Sequence, residues 1–448
     1  MVGDAVTNRR LTALAAVVAA GALALAGCGG GGGEKSGGGG SSPGGGGNKP
    51  LAGVTLEVAA KWTGTEQENF QKVLNMFQDQ TGATVKYVPT GEDTGAFLGP
   101  RIAAKTPPDI AILPQPGLVQ EYAKQGALKP LSAEVVAEID KNYSQYWKDL
   151  ASADGKVYGM MVKAAHKSIV WYLKEAYDNA GVQPPQTFDQ LVGETADKLA
   201  ESGATPFSLC GASGWTLTDL FENVYLSQAG PENYDKLAKH ELKWTDATVT
   251  KALQTIAKIK PDHVLGGSSG ALQTDFPTCV TRVFGEKKAA MVIEADFVAA
   301  TVSTTKEKVG EGAQFFPFPK AGDTAPVVLG SDIAVAMTEE KGAMELMRFL
   351  SSAEAATAWA KLGGYLSANK NVSPDSYPDA LTKELGRTIQ ASADTARYDM
   401  SDLAPSAFGA TDGKGEWKLL QDLLRNPGDV KGIQSKLESE AAKAFGGS

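Results

Sequence analysis

Few residues in this 448-residue chain are equipped for covalent chemistry. None of the histidines His166, His240 and His263 sits at metal-ligand spacing from another, so zinc chemistry and a Ser-His-Asp triad have little to build on. What the chain does carry is polar oxygen and aromatic surface in loops. Lys61-Trp62-Thr63-Gly64-Thr65-Glu66 and Pro114-Gln115-Pro116-Gly117 each lead into a predicted helix start, where free backbone N–H groups can meet ligand oxygens. Ser213-Gly214-Trp215 opens another helix, with Asp219 and Glu222 on neighbouring turns of one face. A strand-like run ends at Glu294, Asp296 and Phe297. Indole rings beside carboxylates and amides can hold a ligand that has both hydroxyls and apolar faces. Paired carboxylates can also cleave a glycosidic bond, so these residue types alone leave both uses open.

The hydrophobic pattern supplies a scaffold for these loops. VTLEVAA (54–60) alternates as a strand, and in the next segment Phe70, Val73, Leu74 and Phe77 share one helix face. Thr65 with Glu68 reads as a capping box for that helix, and Gly82 as its stop. ATVKYVP (83–89) is a second strand, which makes a βαβ unit and predicts a parallel sheet. PPDIAIL (107–113) adds a third strand, and GLVQEYAKQGAL a helix stopped at Gly126. AQFFPFPKAGD and VVLGSDIAVAM read as further strands of this first domain. In the second half Thr187 with Gln190 caps a helix, and KKAAMVIEADFVAA contains a buried strand. Trp417, Leu420 and Leu424 line one closing helix; Val430, Ile433, Leu437 and Ala441 line the last.

The first 50 residues have a different character. Arg9 and Arg10 precede an apolar run from Leu11 to Ala26, shorter than the about 20 residues a membrane span needs but suited to an export signal. Leu25-Ala26-Gly27-Cys28 resembles the lipobox of bacterial lipoproteins, which implies acylation of Cys28 with diacylglycerol and palmitate-type chains, and cleavage before it. Residues 29–50 hold 13 glycines and have the composition of a flexible tether. Cys210 and Cys279 are the only other cysteines; in an exported chain an even remainder predicts one disulfide, the alternative being two buried thiols. The net charge of −9, with no basic stripe, argues against nucleic acid as partner.

The ordered segments PPDIAILPQPGLVQEYAKQGALKPL, WYLKEAYDNAGVQPPQTFDQL, GWTLTDLFENVYLSQAGPENYD, AAMVIEADFVAA, LGSDIAVAM, GGYLSANK and MSDLAPSAFG resemble family 1 extracellular solute-binding proteins, the sugar receptors of bacterial ABC importers. The likeness covers nearly everything from Leu51 onward. GW-x-LTD-x-FE brings it nearest to receptors for α-glucosides and related oligosaccharides. Ala295 stands where related receptors often have glycine.

The resemblance implies a two-lobed α/β fold of the periplasmic-binding-protein type (type II), with ligand in the cleft between lobes. Carried onto this chain, 1–27 is signal peptide and 28–50 lipidated cysteine and tether. Lobe one is 51–162 plus 297–346, and lobe two 163–296 plus 347–448. It further implies a monomer with no cofactor and no metal, which docks on the transmembrane subunits of an ABC permease. Its place is the extracytoplasmic face of the cell membrane, where the lipid holds it. A pyranose needs acceptors and donors for its hydroxyls and aromatic area for its faces. The candidates are Trp62, Trp215, Phe297 and Tyr365 for the faces. For the hydroxyls they are Thr63, Glu66, Gln115, Lys163, Ser168, Asp219, Glu294, Ser331, Asp332, Asp399 and Asp402. The competing readings are a secreted glycoside hydrolase and a receptor for a non-sugar solute.

Overall fold

In the computed structural model, residues 49–91, 93–391 and 396–446 are described. The expected signal segment, Cys28 and most of the tether lie outside them. Strands β1 (Thr55–Ala60), β2 (Thr84–Pro89) and β3 (Ile110–Leu113) form a parallel core with β1 in the middle. Further along come a small hairpin, β4 (Ser152–Ala153) and β5 (Lys156–Val157), then β6 (Gly159–His166) and β7 (Ile169–Leu173). The remaining strands are β8 (Met291–Ile293), β9 (Ala313–Pro317), β10 (Val328–Ala336) and β11 (Arg397–Tyr398). β10 runs antiparallel to β3 on one side and to β6 on the other, while β11 pairs parallel with its first residues. These strands complete the first sheet. β8, β7 and β9 form the second, antiparallel, with β7 central.

The helix Gly64–Thr81 covers the first sheet because Phe70, Val73, Leu74 and Phe77 fall on one side and are buried. It starts earlier than its capping signal predicts. Thr63 is the N-cap and makes no side-chain cap bond, so the Thr65–Glu68 box is not formed. Gly82 ends it in the left-handed region at φ 79°, donating its N–H to Gln78 O. The Thr187–Gln190 capping box is present in both directions.

Two expected assignments change. AQFFPFP does not join the first sheet: β9 pairs with β7, Phe315 opposite Trp171. Nor does all of 347–448 fall on the second lobe. Helix Lys341–Leu350 buries Leu346, Met347 and Leu350 against helix Ala133–Asn142 and β10. Helix Ala353–Ala360 packs on helix Gly64–Thr81, where Trp359 meets Phe70 at 5.0 Å between ring centroids. These apolar faces match the first core, which is why the chain returns there after β10.

The sheets are joined where Lys167 and Ser168 link β6 to β7, and again between β9 and β10. After β11, Asp399 leads into helix Met400–Leu403, which packs against helix Trp215–Ala238 of the second half. Cys210 and Cys279 are joined by a disulfide with a Cα–Cα distance of 5.3 Å. Among the described residues no helix is long and apolar enough to cross a membrane.

Candidate ligand cleft

A cleft with a cavity volume of about 290 Å³ opens between the two halves. Strand ends of the first sheet build one wall. β1 runs out into Lys61–Glu66, β3 ends just before Gln115, β6 carries Lys163, and β10 carries Ser331 and Asp332. Helix starts and turns of the second half build the other. Trp215 heads helix Trp215–Ala238, Phe276 heads helix Phe276–Phe284, and Phe297 follows β8. Asp402 and Trp417 also line the cleft, and the Trp417 indole N–H has no hydrogen-bond partner among the described atoms.

The two walls differ in chemistry. Trp215, Phe276 and Phe297 touch one another at ring-centroid distances of 5.6, 5.9 and 5.2 Å, the edge-to-face and tilted range that aromatic clusters prefer. Opposite them, charges come in pairs. Lys163 is ion-paired with Glu66 and lies 5.5 Å from the Phe297 ring. Burial acts to lower its pKa, but Glu66, Asp332 and Asp296 outweigh burial and raise it. Asp332 accepts the Trp62 indole N–H at 3.2 Å and faces Lys61 at 3.6 Å. Lys61 also reaches across the cleft, 5.9 Å from the Trp215 ring.

A third lysine organises the floor. Lys167 Nζ reaches Asp399 at 2.5 Å, Asp219 at 3.1 Å and Asp402 at 3.4 Å. Burial disfavours the ammonium, yet these carboxylates hold its pKa well above the ordinary value. Burial would raise Asp399, but Lys167, the Ser401 hydroxyl and the Asp402 N–H bring it down to about 2. Asp402 is pushed up to about 7 by burial and by the Asp399 charge, and Asp219 is raised for the same two reasons, against the pull of Lys167. Glu222, raised mainly by burial, accepts the N–H groups of Met400 and Ser401, each at 3.0 Å, and so fixes the turn that presents Asp402.

Ten of the predicted residues line the cleft: Trp62, Thr63, Glu66, Gln115, Lys163, Trp215, Phe297, Ser331, Asp332 and Asp402. Trp62 does so by an edge, since only 2% of it is exposed and its ring packs on Phe70 and Trp359. Five others do not line it. Tyr365 is core: it stacks on Trp359 at 4.6 Å and donates its hydroxyl to Val162 O. Ser168 is spent at the lobe junction, where its Oγ accepts the Val328 N–H at 2.7 Å. Asp219 and Asp399 lie beneath the floor as partners of Lys167. Glu294 is buried nearby and has no hydrogen-bond partner among the described atoms; burial and Asp219 push its pKa well up. Lys61, Lys167, Phe276, Ser401 and Trp417 line the cleft without having been selected from sequence. A partial signal existed for Lys167: with Lys163 it is one of two lysines in the segment Val162–Leu173, between stretches that are mostly apolar.

The model of the bacterial extracellular solute-binding protein family matches residues 60–357. The alpha-glucosides-binding periplasmic protein AglE of Rhizobium meliloti is 33% identical over 378 residues, 80% of this chain and 82% of that one. The osmoprotective compounds-binding protein GgtB of Synechocystis is 31% identical over 357 residues, 77% and 83% of the two chains. Among solved structures, the solute receptor AcbH superposes with a TM-score of 0.74 at 19% identity, covering 88% of this chain and 99% of that one. RafE in complex with raffinose superposes at 0.72 and 17% identity, covering 88% and 100%. At such identities these structures bear on the two-lobed fold alone. The family match across both halves and two relatives above 30% identity, spanning most of both chains, establish that this protein belongs to the bacterial extracellular solute-binding proteins.

Proposed function

We propose that the protein captures a neutral sugar, an α-glucoside or related oligosaccharide, in this cleft and delivers it to the permease of an ABC importer. The observation that carries this reading is the pairing of an aromatic wall with a charge-balanced polar one. Lys61, Lys163 and Lys167 face Glu66, Asp332 and Asp402, and each is already paired. That leaves no unpaired lysine in the wall for a phosphate or a sugar acid, while the pairs still offer charge-assisted hydrogen bonds to hydroxyls. The aromatic wall covers the C–H face of a ring. The cavity lies near the small end of the about 300–1,000 Å³ common for ligand sites, which favours a mono- or disaccharide over a long chain. The alpha-glucosides-binding relative AglE supports the ligand class. In this reading the protein acts by binding, with Glu66, Asp332 and Asp402 each paired to a lysine as part of the polar wall. Cys28 anchors it to the outer face of the membrane through its lipid.

Calorimetric titration of the purified protein with maltose, trehalose, glucose 6-phosphate and glucuronate tests this. Stoichiometric binding of a neutral sugar, with recovery of intact sugar, is the expected result. Preference for the phosphate or acid, or release of glucose from the disaccharides, overturns it.

A further inference from the structure

The aromatic wall is assembled from three separate pieces of chain, and the disulfide ties two of them together. Cys210 begins the loop that ends at Trp215, and the Thr216 hydroxyl donates back to Cys210 O at 2.8 Å. Cys279 lies one turn after Phe276 in helix Phe276–Phe284, which starts on the N-cap of Asp275. A backbone bond from Ala212 N–H to Thr274 O, 3.1 Å, joins the same two pieces. Both cysteines are buried, at 2% and 0% exposure. Between Trp215 and the cystine the loop is Gly211-Ala212-Ser213-Gly214, with Gly214 at φ 71°. The Gln421 amide also donates to Gly211 O at 2.9 Å and to Ala212 O at 3.1 Å, so the disulfide is the one covalent tie among several that fix this loop at the start of helix Trp215–Ala238.

We propose that the Cys210–Cys279 disulfide is a positioning element of the ligand site, holding Trp215 against Phe276 so that the wall is preformed before sugar arrives. The proposal rests on the sugar-binding reading above. Preforming a site removes the cost of ordering its side chains on binding. A staple that acted only on the unfolded chain would raise stability and leave affinity alone.

The test is the double variant Cys210→Ala/Cys279→Ala, purified and confirmed folded by circular dichroism, with the dissociation constant for maltose measured well below its melting temperature. The expected loss is fivefold or more. In a Trp215→Ala background the same double change leaves the remaining affinity within twofold. A loss below twofold in the wild-type background, or an equal loss in both backgrounds, overturns the proposal. Fluorine NMR of ligand-free protein labelled with fluorotryptophan separates failure of this proposal from failure of the sugar reading. The Trp215 resonance, assigned by its disappearance in Trp215→Phe, shifts or broadens in the cysteine variant. The signals of Trp62, Trp147, Trp244 and Trp359, which do not pack on this loop or on helix Phe276–Phe284, stay in place. An unmoved Trp215 signal refutes the positioning role whatever the ligand is. Should the cysteine variant not fold, Thr216→Val keeps the disulfide and removes only the hydroxyl tie to Cys210. It weakens maltose binding two- to threefold if the proposal holds and leaves it unchanged if it does not.

Discussion

Two tryptophans that look alike in sequence have opposite roles. Trp62 and Trp215 both stand in loops before helices, yet Trp62 is 2% exposed and wedged between Phe70 and Trp359, while Trp215 is only partly buried. The physical difference is where the neighbouring helix lies. Trp62 points back under helix Gly64–Thr81, whereas Trp215 rests on Phe276 and Phe297 at the cleft surface. Trp62→Ala empties a core site and is expected to destabilise the fold by about 3–5 kcal/mol. Trp215→Ala is expected to keep nearly the parent melting temperature and weaken sugar binding at least tenfold. Melting curves with and without sugar, run on both variants, check this: if Trp215→Ala melts as early as Trp62→Ala, the indole is part of the core.

Among the elements, the junction between β6 and β7 is where ionisation couples to folding. Asp296, just after β8, accepts the His166 N–H at 2.7 Å and donates its own N–H to His166 O. Burial pushes its carboxyl up to about 7; the nearby Glu66 adds to the rise, and Lys163 opposes it. The native state therefore takes up a proton that the unfolded chain has already lost. Stability from this group is full below the ordinary carboxylate range and falls as pH rises towards 7, by at most about 4 kcal/mol. Asp296→Asn keeps an acceptor for His166 and removes the titration. Urea midpoints at about pH 5 and about pH 7.5 should thus converge in the variant relative to the parent. An unchanged difference would show that other groups, such as Asp402, carry the dependence. How far these elements could be read in advance follows from what periodicity encodes. The amphipathic helix from Gly64 and the buried strands β1 and β3 are local patterns, and they were legible. Which sheet a strand joins is not local. β9, Ala-Gln-Phe-Phe-Pro, has no alternation that marks one sheet over the other, and only its pairing with β7 places it. In the site, loop chemistry picked out Trp215, Glu66 and Asp332. It did not pick out Lys167, because the three carboxylates that make a buried lysine tolerable come from segments 52 to 235 residues away.

For the folded part as a whole, the first described residues and the cleft lie at opposite ends of one helix. Helix Gly64–Thr81 begins at the cleft and ends beside the first described residues: Leu51 N–H donates to Thr81 O, and Lys49 to Asp79 O. Its 18 residues separate the two by about 27 Å at 1.5 Å per residue. Anchoring and binding should then separate cleanly. Cys28→Ala is expected to abolish incorporation of labelled palmitate and to move the protein into the aqueous phase of a detergent partition. The released protein should bind maltose within twofold of the lipidated form, since nothing near Lys49 contributes to either wall. Palmitate labelling that persists in Cys28→Ala would remove the lipid anchor from the proposed function. A large change in sugar affinity on release would mean that the segment before Lys49 reaches the cleft after all.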